Sequence, residues 1–263
     1  MITAIRAWFE TFVDAHRQRT PDHDAHLELK RTHSLRVMDE AGAQADALDL
    51  SGRLRELAVI TGLLHDTGRF PQYRRFHTFR DADSANHAIL GTIALAREKA
   101  LADLDQRSRT LVRTAIICHN KRAIPARVAS GADADALALV RIARDADKLD
   151  IVRVMLEHFQ DPKEKDAVVF LGLPDIPDAY NPVFLEDIEA GRIGNYYAMG
   201  STNDFALLLL SWINDMNFAR TRREFFTRGL VAGLFDALPD LPDLLAFKTR
   251  YHDRFAPRET VSP

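Results

Sequence analysis

The run ELAVITGLLHDTGRF, Glu56 to Phe70, constrains this chain more than any other stretch. From Leu57 to Leu64 it carries no charge and offers no clean polar face, so as a helix it must be buried nearly all round, in a core. At its end stand His65 and Asp66, followed by Thr67, Gly68 and Arg69. An ionised aspartate there costs several kcal/mol, roughly, unless something pairs with it, and a metal ion is the strongest partner available. A His-Asp dipeptide by itself is weak evidence. Its meaning depends on what other apolar helices deliver to the same point.

Several segments share that design. A first helix spans about Ala4 to Arg17, with Ile5, Trp8, Phe9, Phe12 and Val13 at helical spacing. A second runs from about Asp24 to Ala41. In it His33 lies four residues after Leu29 and four before Val37, on or beside the apolar stripe, a place where a core histidine is commoner than a ligand. His16, His23 and His26 lack such a setting and are expected in solvent. The organising helix is capped by Asp49 or Ser51 and ends at His65-Asp66. A helix opened by Ser84 carries His87 in its first turn. Another, about Asp105 to Cys118, ends in His119-Asn120-Lys121, and Cys118, roughly 100° from His119, is core filler. From Asp135 an apolar helix passes through Asp145, Asp147, Lys148 and Asp150; Arg141, Arg144, Lys148 and Arg153 can pair with these carboxylates. Asp145 and Asp147 are roughly 200° apart on a helix and cannot both face one site, whereas Asp150 shares the face of Asp147.

Gly68 to Ser84 has no sustained period and reads as a loop, ordered by Phe70, Tyr73, Phe76 and Phe79. Its Arg69, Arg74, Arg75 and Arg80 are planar forks suited to phosphate or carboxylate. Both ends of the loop are tethered near the histidines, so it is expected to shape a substrate pocket. Beyond residue 160 the chain changes character. Pro162, Pro174, Pro177 and Pro182 break it before a helix with Phe184, Leu185 and Ile188. NDFALLLLSWINDMNFARTRREFF then reads as one strong helix, and a last helix covers about Asp243 to Phe255. Asn203, Asp204, Asp215 and Asn217 read mainly as capping or solvated residues. Nothing reads as a strand. The expectation is an all-α protein with a body over 1–160 and a helical elaboration, 161–263, packed on it.

Composition excludes other classes. With 35 basic and 38 acidic side chains the net charge is -3, so there is no basic footprint for a nucleic acid duplex. A single cysteine, Cys118, excludes an internal disulfide and a cysteine-rich zinc site. The longest apolar run, Phe205 to Ile213, is about half a membrane span, and MITAIRAWFETFVDAH, with Glu10 and Asp14, lacks a signal-peptide core. No membrane partner and a cytoplasmic location are expected; the oligomeric state is not legible.

In order, His33, His65-Asp66, His87, His119 and Asp147 give the pattern His, His-Asp, His, His, Asp on helical scaffolding. This resembles the HD-domain superfamily of metal-dependent phosphohydrolases, over Lys30 to about Met155. HDTGRFPQ, TFRDADSANHA, HNKRAIP, RDADKLD and NDFALLLLSWINDMNF are similar to a bacterial subgroup of HD proteins. The resemblance implies a helical bundle around two divalent transition metal ions (Fe, Mn, Ni, Co or Zn). It places His33, His65, Asp66 and Asp147 on the first metal, and His87 and His119 on the second, with Asp66 bridging. Neutral imidazoles and carboxylates suit such ions without a thiolate. Two ions roughly 3.5–4 Å apart can activate a hydroxide and neutralise a phosphoryl oxygen. The implied activity is therefore hydrolysis of a phosphomonoester or phosphodiester of a nucleotide or small phosphorylated metabolite. Asp66, Lys121 and Lys148 are the candidate catalytic residues, and Arg69, Arg80 and Lys121 the candidate substrate-binding ones. The same ligand set also serves di-iron oxygenases that cleave carbon bonds, and a non-catalytic nucleotide-sensing module is the alternative of another class.

Overall fold

The computed structural model describes residues 1–161 and 165–257; Pro162 lies outside them. Every regular element among the described residues is helical, and the chain divides into two compact units, Met1–Asp150 and Ile151–Pro263.

The first unit begins with α1 (Ile2–His16), which buries Ile5, Phe9, Phe12 and Val13 as its spacing predicts. Pro21 then occupies the first position of α2 (Pro21–Ala47), where its missing N–H is no loss and its fixed φ suits the helix. The organising helix is α3 (Gly52–Leu64), and every residue from Leu57 to Leu64 is buried. Complete burial has a steric condition at Gly62. A Cβ there would lie 2.7 Å from the Val37 carbonyl oxygen and 2.9 Å from the Ala41 Cβ, so α2 and α3 approach as closely as they do only because the side chain is absent. That crossing lies one helical turn from His33 on α2 and three residues from His65.

The segment expected to be a loop contains a helix, α4 (Arg69–Phe76), followed by an extended stretch and a short 3₁₀ turn, Asp81–Asp83. Pro71 misleads because it falls in the first turn of α4, where a proline breaks no intrahelical bond. Phe70 anchors α4 against α1, its ring 5.6 Å from Phe9 and 6.3 Å from Phe12, centroid to centroid. At Gly68 a Cβ would fall 1.9 Å from the His87 carbonyl oxygen, so only glycine lets the chain leave Asp66 this close to the next helix. α4 also removes His23 from solvent: it is buried, its ring tilted at 38° and 5.1 Å from that of Tyr73, while His26 meets the Tyr73 hydroxyl at 2.9 Å.

Two capped helices follow. In α5 (His87–Arg97) the Asn86 side chain accepts from the Ile89 amide, and in α6 (Gln106–His119) Asp105 accepts from the Ser108 amide. After the short α7 (Ala126–Ala129), α8 (Ala134–Gln160) carries the aspartates; its residues through Asp150 belong to the first unit.

The second unit holds α9 (Val183–Glu189), α10 (Thr202–Ser211), α11 (Ala219–Thr227), α12 (Leu230–Asp236) and α13 (Pro242–Phe255). The expected single long helix is therefore two. α10 gives way to a 3₁₀ turn, Trp212–Asp215, and Met216 and Phe218 are extended before α11. At the break the Asn214 amide donates to the Ile188 and Arg192 carbonyls, and that of Asn217 to the Asp215 carbonyl two residues back, a local bond of the kind that competes with helix continuation. Ser201 and Asp204 form a reciprocal capping box on α10. Asn203 is buried rather than solvated, its amide donating to the carbonyls of Ile176, Pro177 and Ala179. No helix among the described residues is long and apolar enough to cross a membrane.

Candidate metal centre

Five helices of the first unit bring the six candidate ligands named from the sequence to one place. His33 comes from the middle of α2, His65 and Asp66 from the residues just past α3, and His87 is the first residue of α5. His119 is the last residue of α6, and Asp147 lies within α8. Three overlapping sets have donor atoms within 4.8 Å of one another: His33, His65 and Asp66; His65, His119 and Asp147; and Asp66, His87 and His119.

The cluster has two halves joined by Asp66. Its Oδ2 lies 3.7 Å from His33 Nε2 and 3.8 Å from His65 Nε2, and its Oδ1 lies 3.3 Å from His87 Nε2 and 3.8 Å from His119 Nε2. Within each half the imidazoles nearly touch, at 3.2 Å between the Nε2 atoms of His33 and His65 and 3.1 Å between those of His87 and His119. Asp147 Oδ1 closes the first half, 3.1 Å from His33 Nε2 and 3.3 Å from His65 Nε2.

Partners on the far side of each ring fix the tautomers. His65 Nδ1 donates to the Gly62 carbonyl and His119 Nδ1 to the Ile116 carbonyl, each at 2.7 Å. His33 Nδ1 donates to Asp150 at 2.7 Å, and His87 Nδ1 to Asp81 at 2.8 Å. These acceptors carry no proton, so each Nδ1 bears the hydrogen and each Nε2 turns a lone pair inward. Lone pairs facing one another at about 3 Å repel unless a cation lies between them. Asp147 Oδ1 makes the same point, being a buried carboxylate oxygen without a hydrogen-bond donor. A nitrogen and oxygen donor set of this kind fits divalent transition metals.

Residues 31–152 match the family model of the HD domain. This chain carries an HD domain. HD domains bind divalent metals and are commonly hydrolases. No curated protein and no solved structure matches the chain.

The electrostatics of this HD domain hold Asp66 and Asp147 charged and His87 and His119 neutral, the forms that bind a metal, while His65 is pushed toward its protonated form. Burial pushes His119 down to about 3, and the neighbouring His65 and His87 act in the same direction. Burial and the Arg69 charge lower His87. Burial opposes the charge on Asp66, yet Lys30, His65, Arg69 and His87 outweigh it and hold the carboxyl well below its usual range. Asp147 is likewise held low against its burial by His65 and His33. For His65, burial is outweighed by Asp66 and Asp147, which raise it.

Of the expected cations, Arg69 reaches the centre, its Nε 3.4 Å from Asp66 Oδ1, while Nη1 donates to the Phe79 carbonyl, Gln72 and Asp81. Lys148 is buried beside Asp147 in sequence. Lys121 is exposed, and Arg80, half-buried, pairs at 3.3 Å with the exposed Asp83 rather than with the centre. Sequence reasoning passed over Lys30, whose ammonium sits 2.9 Å from Asp66 Oδ2 and 5.3 Å from the Phe79 ring centroid. Its signal was its position three residues before His33, on the same helix face. Asp81 was also passed over, although it stands six residues ahead of His87. Asp150, placed on the Asp147 face by periodicity, holds His33 and is itself held by Arg36 at 2.5 and 3.0 Å.

Proposed function

We propose that this HD domain is a two-metal phosphohydrolase acting on a phosphomonoester or phosphodiester of a nucleotide or other small phosphorylated metabolite. The observation that carries the reading is Asp66, whose two oxygens each face a separate pair of inward-pointing imidazole nitrogens. His33, His65 and Asp147 would hold one cation and His87 and His119 the other, with Asp66 bridging. Two divalent cations so held supply a water of lowered pKa and positive charge at the phosphoryl oxygens.

The chain supplies orientation and further charge. The Nδ1 partners keep all four imidazoles aimed inward without rotation at the moment of reaction. Lys30 and Arg69 approach opposite oxygens of Asp66, so two fixed cations stand where negative charge develops on a phosphate. Lys148 and Lys121, one and two residues beyond the ligands Asp147 and His119, are the further cations for the phosphate. Arg80 and the 68–84 segment bear on the group attached to it.

The test is anaerobic reconstitution of the purified protein with Mn²⁺, Fe²⁺, Co²⁺, Ni²⁺ or Zn²⁺, followed by a screen of nucleotides and phosphoesters for released phosphate or alcohol. Metal-dependent turnover without oxygen is expected, and it should be absent from His87→Ala. Metal-loaded protein that turns over none of them anaerobically, and either consumes oxygen once air is admitted or binds a nucleotide unchanged, would overturn the reading.

A further inference from the structure

The four imidazoles of the centre are not held alike. His65 and His119 donate to carbonyls of their own helices, which cannot move independently of the rings. His33 donates to Asp150, a buried carboxylate on α8 clamped by Arg36 from α2. His87 differs, because its Nδ1 partner is Asp81, in the 3₁₀ turn outside the α-helices.

Asp81 makes more contacts than orientation of one ring requires. Both its oxygens lie within 2.9 Å of His87 Nδ1. Arg69 Nη1 donates to it at 3.1 Å, Gln72 Nε2 at 2.9 Å and Asn120 Nδ2 at 3.4 Å. Gln72 in turn donates to Ser84 Oγ and the Ala85 carbonyl, each at 2.9 Å, tying both sides of the turn to α4. Through Arg69, whose Nε faces Asp66 Oδ1, the network returns to the oxygen that faces His87 and His119. One carboxylate thus holds a histidine of the second half by its ring and the bridging aspartate by its guanidinium neighbour.

We propose that Asp81 is the positioning residue of the Asp66, His87 and His119 half of the centre, so that capture of the second divalent cation depends on the Asp81 turn being docked on α4. The proposal rests on the two-metal reading. Without Asp81 the His87 ring loses the acceptor that fixes its tautomer and direction, and Arg69 loses its charged partner in the turn, keeping only the Phe79 carbonyl and Gln72 beside Asp66. The other half keeps Asp150, Asp147 and the Gly62 carbonyl.

The experiment titrates metal-free full-length protein anaerobically with Mn²⁺ by calorimetry. It also reads spin coupling between the two ions by paramagnetic resonance and checks folding by thermal melting. Wild type, Asp81→Ala, Asp81→Asn and His87→Ala are compared. Wild type should bind two cations. Asp81→Ala should keep one with wild-type affinity and bind the second about 10- to 100-fold more weakly, with the coupled signal lost, as in His87→Ala. Asp81→Asn should fall between, since its amide oxygen still accepts from Nδ1 but no longer carries charge for Arg69. If Asp81→Ala does not fold, Asp81→Asn decides. Wild-type affinity for both cations in the Asp81 variants, even with a lowered melting temperature, overturns this inference alone, as does loss of both cations from a folded variant. A wild-type protein that binds fewer than two overturns the two-metal reading, and this inference with it.

Discussion

Substituting Gly62 by alanine tests whether the packing of α2 on α3 sets the metal geometry. The added Cβ would sit 2.7 Å from the Val37 carbonyl oxygen, about 0.7 Å short of ordinary contact at 3.4 Å, and 2.9 Å from the Ala41 Cβ. Both obstacles belong to the body of α2 and cannot swing aside as a flexible side chain does, so the helices must separate by several tenths of an ångström. His33 rides on α2 one turn from Val37, and His65 follows Gly62 by three residues, so that separation enlarges the 3.2 Å between their Nε2 atoms. Metal–ligand distances tolerate only about ±0.2 Å, so the first cation should bind at least about 10-fold more weakly. Stability should fall by up to about 2.5 kcal/mol. Overpacking costs about 1–3 kcal/mol, while replacing a mid-helix glycine by alanine returns roughly 0.5–1 kcal/mol. Calorimetric metal titration and a thermal melt of the metal-free protein separate the two effects. Wild-type affinity in a Gly62→Ala protein would refute the reasoning, because it would mean the ligands find their geometry independently of the helix crossing.

Asp147→Ala should abolish retention of the first cation on gel filtration while Asp145→Ala leaves it bound, as measured by metal analysis; a metal-free Asp145→Ala protein would put the register of α8 in error. Lys30→Met should lower phosphoester turnover about 100-fold with metal content unchanged, since it removes a fixed cation and no ligand; unchanged kinetics would show that Lys30 only neutralises Asp66. Acidification should release metal from the His33 and His65 half first, because His65 is raised and takes up a proton at higher pH, whereas His87 is lowered and His119 is pushed down to about 3. Metal analysis after dialysis down a pH series should show this order, and release of the His87 and His119 cation first would refute it.

Most helices were legible because they follow from local pattern, and the candidate ligands because their order along those helices resembles the HD domain. An apolar run that is buried all round and then ends in His65-Asp66 has few outcomes other than a core helix delivering polar groups to an interior site, and α5 and α6 place His87 and His119 at helix ends in the same way. The registers of Asp147 and Asp150 came from helical periodicity, which fixes which residues share a face. Tertiary structure decided everything that depends on distance through space. Helix α4 forms because Phe70 finds Phe9 and Phe12 of α1, contacts invisible in a segment that otherwise reads as Gly, Pro and Arg. Lys30 and Asp81 acquire their partners only when α2, α4 and the Asp81 turn meet around Asp66. Arg80, similar to Arg69 as a sequence feature, is paired with Asp83 because it stands at the start of the 3₁₀ turn, while Arg69 leaves the start of α4 beside Asp66. A charged side chain carries no record in sequence of which opposite charge it will reach, whereas an apolar face must find a core. The scaffold was therefore set by local pattern, and the groups that orient and charge the candidate site were set by packing.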